Sequence, residues 1–396
     1  MKLVHLADLH LGFRQYQRLT PGGINQREAD IARTFQRALE KVIELRPDVV
    51  VVAGDIFHSV RPTNPAIVHA FRQFSLLRQA LPDAAIVMVA GNHDTPLTTE
   101  TGGILGLFKE LGIHVADGDA RRFPFPAHDL AVLAVPDRGG DRPALNPDPT
   151  ARYNVLVMHG EVEGVLPPQA TCPERKAMEI PLGELKSEGW NYIALGHYHV
   201  YRQVAERAFY SGSTEYASTN VWGELAEERA QGIRGKGIVE HDLESGAHVF
   251  HPLEPARELL DLPPIRARGM TAPELDFAIR ETLDACPGGI EQKILRLVVH
   301  DVPLHVARGL DHRALRDYRR RALHFHLDTR RPEIIRTQVG GAPGRRASLA
   351  ELVRDSLRSR QLERGTDRDE LVALGLRYLR DAETADTPML LEQEAE

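Results

Sequence analysis

The chain has 396 residues, 42% of them hydrophobic, and a formal net charge of −7, so one large domain with one or two smaller ones is expected. No apolar run approaches the roughly 20 residues of a membrane span, and Met1-Lys2-Leu3-Val4-His5 opens a strand rather than a signal peptide, which points to a cytoplasmic protein. Cys172 and Cys286 stand far apart without CxxC spacing, which excludes a disulfide framework and a zinc knuckle, so any metal must be held by His, Asp and Asn.

In chain order, Lys2–Ala7 reads as a strand that delivers Asp8-Leu9-His10. Residues two apart on an extended segment point to the same side, so Asp8 and His10 can reach one ion. Helical spacing of Ile31, Phe35, Ala38, Leu39, Val42 and Ile43 predicts a helix over Glu28–Arg46, closed by Pro47. Four valines then predict a strand buried on both faces, with Gly54-Asp55 at its carboxyl end and His58 three residues on. A second helix is expected over Asn64–Ala80, and a further strand over Ala85–Ala90 runs into Gly91-Asn92-His93-Asp94. Asp94 can either orient His93 or brace the turn.

Asp-x-His, Gly-Asp and Gly-Asn-His-Asp at the ends of successive strands resemble the calcineurin-like metallophosphoesterases. That family expects two more histidine sites. The predicted strand Tyr153–Met158 ends in His159-Gly160, and Asn191–Leu195 ends in Gly196-His197-Tyr198-His199; His114 and His128 have no such setting. Val165–Met178 reads as a surface loop. Gly237–Leu243 and Ala247–Leu253 predict a hairpin that completes the catalytic domain near residue 255.

Gly54-Asp55-Ile56-Phe57-His58 and Gly91-Asn92-His93-Asp94, with the opening His5-Leu6-Ala7-Asp8-Leu9-His10, look like the nuclease-subunit family of the SbcC–SbcD double-strand-break repair complex. The resemblance implies an α/β fold of two packed mixed β-sheets flanked by helices, a small α/β capping domain and a C-terminal helical hairpin. It implies domains at 1–255 (nuclease), 256–335 (capping), 336–347 (linker), 348–382 (hairpin for the ATPase partner) and 383–396 (an acidic mobile tail). The implied activity is that of a manganese-dependent DNA exonuclease (3′→5′) and single-strand endonuclease, a homodimer with an SMC-like ATPase of the SbcC type, near the nucleoid. A nucleotide or small-molecule phosphodiesterase on the same core is the alternative.

By the same resemblance Asp8, His10, Asp55 and His199 hold one divalent ion, and Asp55, Asn92, His159 and His197 a second, with Asp55 bridging. Two such ions clamp the attacking and leaving oxygens of a phosphoryl displacement, and imidazole with carboxylate suits manganese. His93, assisted by His58, is the candidate to orient the phosphate or protonate the departing oxygen. Arg14, Tyr16, Arg18 and Arg27 in and after the first loop, and Arg319, Arg320 and Arg321 in the capping unit, are candidates for DNA phosphate contacts or a solvated charged face. Two helices, Ser348–Arg360 and Arg368–Asp381, form the hairpin. On the second, one stripe (Leu371, Leu374, Tyr378) is expected to pack on Leu349, Val353 and Leu357. The other (Val372, Leu376, Leu379) is then left for a partner or for packing back on the capping unit.

Overall fold

In the computed structural model, which describes residues 1–96, 103–137, 143–165, 177–185, 189–332, 348–359 and 367–385 (the last five by backbone alone), Val49–Ala53 is a strand with every residue buried. Val50 and Val52 face Ile31, Phe35, Leu39 and Phe74, while Val49 and Val51 face Val132, Val155, Tyr192 and Phe209. The two-residue period of a strand sorts one run of valines into two cores. This strand is the axis of the architecture.

The chain enters through β1 (Lys2–Leu6), α1 (Gln26–Leu45), β2 (Val49–Ala53), α2 (Asn64–Ala80), β3 (Ala85–Val89) and β4 (His114–Ala116). Asn25 caps α1 by accepting from the Arg27 and Glu28 amides, and Thr63 caps α2 from the Ala66 amide. Then come β5 (Arg121–Phe125), β6 (Leu130–Val135), β7 (Tyr153–His159), a short pair β8 (Glu161–Val162) and β9 (Glu179–Ile180), β10 (Tyr192–Gly196), β11 (Arg202–Ala205), β12 (Ala208–Tyr210), α3 (Val221–Gln231), β13 (Gly237–Asp242) and β14 (His248–Pro252). The first sheet has the order β14-β13-β1-β2-β3-β4 and the second β11-β12-β10-β7-β6-β5. Their inner faces meet in an apolar layer, α1 and α2 cover the outside of the first sheet, and Trp190, Tyr198 and Tyr210 cover the second. The two packed mixed sheets with flanking helices are those expected.

A third sheet follows, with β17 (Ile294–His300) between β18 (His324–Thr329) on one edge and β15 (Leu259–Asp261) and β16 (Ile265–Arg266) on the other. It encloses its own core with α4 (Ala272–Asp284), α5 (Leu304–Arg308) and α6 (His312–Arg321). Tyr216, Val221, Leu259, Ile294 and Leu323 join it to the rest. Met1–Pro332 packs as one unit and Glu333–Glu396 as another.

The second unit contains α7 (Leu349–Ser359) and α8 (Arg368–Ala385). The apolar stripes of α8 are used the other way round from expectation. Val372 is buried, whereas Leu374 and Tyr378 are exposed, so the stripe Val372, Leu376 and Leu379 is not a free partner face. The reason is Gly375, whose missing side chain admits Leu357 and Val353 of α7 to that side of α8. The expected linker 336–347, most of the loop Val165–Met178 and the tail beyond residue 385 lie outside the described residues.

Candidate metal centre

Ligands in open α/β sheets gather at the carboxyl ends of strands, and here five strands from both sheets deliver side chains to one place. Asp8 and His10 follow β1, Asp55 follows β2, Asn92 and His93 follow β3, His159 ends β7, and His197 and His199 follow β10. Asp8, His10, Asp55 and His197 have φ of 53°, 44°, 52° and 106°, in the left-handed region where non-glycine residues cost about 1–3 kcal/mol each. The surrounding backbone imposes these turns: the Asp8 amide donates to the Gly54 carbonyl at 3.0 Å and the His10 amide to that of Asp55 at 2.9 Å. Gly54, with φ 90°, passes so close to His159 that a Cβ would collide with the imidazole.

His10 Nε2 and His199 Nε2 lie 3.0 Å apart. Asp55 Oδ2 stands between the two halves of the cluster, 3.6 Å from His10 Nε2 and 3.5 Å from His159 Nε2. His159 Nε2 is in turn 2.9 Å from Asn92 Oδ1. Asp8 with His10 and His199, and Asp8 with Asp55 and His159, each bring three donor atoms within 4.8 Å. His197 adds its ring beside His159, centroids 5.5 Å apart, and its amide, which donates to Asp8 Oδ1 at 3.0 Å.

Hydrogen bonds fix which imidazole nitrogen faces inward. His159 Nδ1 donates to the Ala53 carbonyl at 2.8 Å, and His199 Nδ1 to Glu224 Oε1 at 3.1 Å; each Nε2 is thereby turned toward the other site residues. Imidazole nitrogens and carboxylates converging in this way are a donor set for hard or borderline cations, which displace any proton held on an inward nitrogen. Burial pulls the His159 imidazole down, but the carboxylates of Asp55, Asp8 and Asp137 outweigh it and hold the group up at about 9. Burial lowers His197 to about 3, with His159 acting in the same direction, and also puts His10 well below its ordinary value. The residues present therefore fit a pair of divalent ions, with Asp55 in the position of a shared ligand.

Around this set, the His93 amide donates to Asp55 Oδ1 at 2.9 Å and its Nδ1 to the His58 carbonyl at 2.8 Å. The rings of His93 and His58 are 4.9 Å and 5.4 Å from that of His10. Asp94 accepts from the amides of Ile56, Phe57 and Gly91 at 3.0, 2.9 and 3.1 Å, which makes it the brace of the β2 and β3 turns. Burial and then the Asp55 charge push its carboxyl up to about 7.

Two buried acids that sequence motifs do not mark belong here. Asp137 follows β6 and accepts from the Met178 amide at 3.1 Å; the apolar run Leu130–Val135 before Pro136-Asp137 is the signal that could have found it. Glu224 comes from α3, where no such run precedes it. The first-loop cations are placed differently from expectation. Arg27 is buried among Asp30, Glu215 and the Tyr216 carbonyl, because a guanidinium under α1 must be paired. Arg18 donates to the carbonyls of Arg319, Arg320 and Ala322, and Tyr16 stacks on His324, so both, half-buried, tie the first loop to the unit of the third sheet. Arg14, paired with Glu28, and Arg319 and Arg320 are exposed.

A family described as calcineurin-like phosphoesterase matches residues 1–227. Proteins described as DNA double-strand break repair protein Mre11 are similar: that of Methanococcus maripaludis is 29% identical over 257 residues, covering 61% of this chain and 63% of the relative. The Methanopyrus kandleri protein is 29% identical over 266 residues, covering 61% and 54%, and that of Methanocaldococcus jannaschii 26% over 252, covering 60% and 61%. The chain thus spans less than two thirds of the length of these relatives. With the strand-end acids and imidazoles in one cluster and more than half its length matched, the chain belongs to the calcineurin-like phosphoesterase family of metal-dependent hydrolases.

Proposed function

We propose that the protein is a manganese-dependent DNA nuclease of double-strand-break repair, with 3′→5′ exonuclease and single-strand endonuclease activity. The observation that carries the phosphodiester chemistry is Asp55 Oδ2 set between His10 and His159 at 3.6 and 3.5 Å. Asp8, His10, Asp55 and His199 would hold one ion, and Asp55, Asn92, His159 and His197 the other. Two divalent ions supply positive charge to the attacking and departing oxygens of the displacement. His93 Nδ1 is anchored on the His58 carbonyl, which leaves Nε2 to pass a proton to the departing oxygen and His58 to support the ring. The similarity to Mre11 proteins supports DNA as substrate.

We assign residues 1–255 to catalysis, 256–335 to a capping unit that presents Arg319 and Arg320 to DNA, and 348–382 to docking of an SbcC-type SMC-like ATPase, with nucleoid-associated localisation in the cytoplasm. The exposed Leu349, Leu352, Leu374 and Tyr378 support the docking role. Exposed Val68 and Leu76 on α2, beside Phe71 and Leu107, support a homodimer. No helix among the described residues is long and apolar enough to cross a membrane.

The test is turnover of plasmid and single-stranded DNA with manganese, with and without chelator, beside a generic phosphodiester dye. Chelator-sensitive DNA fragments are expected. Hydrolysis of the dye with intact DNA would overturn the nuclease reading in favour of a small-molecule phosphodiesterase.

A further inference from the structure

Behind His199 lies a charged cluster that the phosphoryl displacement does not itself use. α3 turns its acids inward: Glu224 and Glu228 are buried, and the Lys236 ammonium sits between them, 2.7 Å from Glu224 Oε2 and 2.8 Å from Glu228 Oε1. Lys236 also donates to the His199 carbonyl at 2.7 Å. Glu224 Oε1 accepts from His199 Nδ1 at 3.1 Å and from the Ser218 hydroxyl. Both oxygens of this carboxylate are therefore held, and the lysine ties it to the backbone of the residue whose ring it grips.

Buried ion clusters are poor devices for stability alone, because removing the charges from water costs about what their attraction returns. What Glu224 does for His199 is specific. Accepting the Nδ1 hydrogen fixes both the tautomer and the rotation of the ring, so that the Nε2 lone pair meets His10 Nε2 at 3.0 Å. His159 is aimed by a backbone carbonyl, that of Ala53; His199 is aimed by a side chain. Glu228 provides an internal comparison, since it shares the helix and the lysine but receives the Tyr216 hydroxyl at 2.6 Å in place of a site histidine.

We propose, resting on the metal-centre reading above, that Glu224 is the positioning residue of the His199 ligand and that Lys236 pins it there by bridging Glu224 to the His199 backbone. Displacing this carboxylate weakens the ion held by Asp8, His10 and His199 and spares the one beside Asn92 and His159.

The experiment is calorimetric titration of manganese into the metal-stripped full chain for wild type, E224D, E224Q and E228Q, with thermal unfolding of each in chelator. E224D keeps the charge beside Lys236 but withdraws it from Nδ1; a loss of about 10–100-fold in affinity is expected at one of two equivalents, as for other outer partners of metal-bound histidine. E224Q has one acceptor oxygen, which can serve Nδ1 or Lys236 but not both, and is expected to bind between wild type and E224D. E228Q is expected to bind both equivalents normally even if its unfolding temperature falls. Wild-type affinity in E224D, or equal weakening in E224D and E228Q, would overturn the positioning role. Wild type taking up fewer than two equivalents would instead overturn the dinuclear reading on which the role rests.

Discussion

The Tyr16 ring lies on the His324 imidazole, 3.9 Å between centroids and 15° between planes. Two residues further along the loop that follows the first metal motif, Arg18 donates to carbonyls at the C-terminal end of α6, where a cation is favoured by the helix dipole. One loop thus carries both a metal motif and the clasp of the third sheet. Stacked aromatic pairs contribute about 0.5–1.5 kcal/mol and hydrogen bonds from a charged donor about 1.5–3 kcal/mol. Tyr16→Ala and Arg18→Ala are each expected to lower hydrogen-exchange protection of α6 and β18 by these amounts while leaving manganese stoichiometry intact. Unchanged protection in both variants would contradict the clasp.

Asp55→Asn and His197→Ala are expected to abolish hydrolysis through loss of metal, since no neighbour replaces either group. His93→Ala is expected to keep its metal and lose about 10²–10⁴-fold in rate, the usual worth of acid–base assistance. Elemental analysis beside single-turnover cleavage separates the two outcomes. Metal lost from the His93 variant would sink this division of labour.

The imidazole of His159 stands at about 9 in the folded, metal-free protein against an ordinary 6.5. Its proton therefore stabilises the metal-free fold fully below about 6.5, and that contribution is lost as pH rises through 9. A metal at this position must displace the same proton, so manganese affinity is expected to rise over the same interval with release of protons. Urea unfolding in chelator and manganese titration in buffers of different ionisation enthalpy check the two opposite trends.

Arg319 and Arg320 are exposed at the end of α6. Charge reversal at both is expected to weaken DNA binding and flatten its salt dependence, because each phosphate deprived of its arginine takes about one unit from the slope. Equal affinity and slope in the variant would exclude this end of α6 as a DNA-binding surface.

On the hairpin, Leu374→Asp with Tyr378→Asp is expected to stop co-purification with an SbcC-type ATPase while preserving helix content. Val372→Asp should cost helix content as well, because that side chain is buried. Circular dichroism of both variants, with pull-down from a co-expression host, distinguishes the two faces.

Much of this site was legible because metal chemistry demands particular side chains at strand ends, where apolar runs announce the strands themselves. The helix Asn64–Ala80 has the same limits in sequence and structure. What escaped was of another kind. α3 buries Val221, Glu224 and Glu228, and acids on an inward face break the apolar periodicity by which a buried helix face is found. The left-handed turns at Asp8, His10, Asp55 and His197 are enforced by hydrogen bonds between strands distant in sequence, which no local rule encodes. On α8 the packing face was decided by a glycine, a residue that hydrophobic spacing does not count.

The two walls of the metal centre are made far apart in time: His10 and His199 face each other across 189 positions of chain, and β13, which flanks β1, is made later still. A nascent polypeptide that has emerged through β4 carries Asp8, His10, Asp55 and Asn92 but no opposing histidines, and β1 lacks its second neighbour. The full ligand set therefore exists only once translation has passed His199, just beyond β10 of the second sheet. A product of synthesis interrupted before His199 lacks one wall of the site and cannot assemble it.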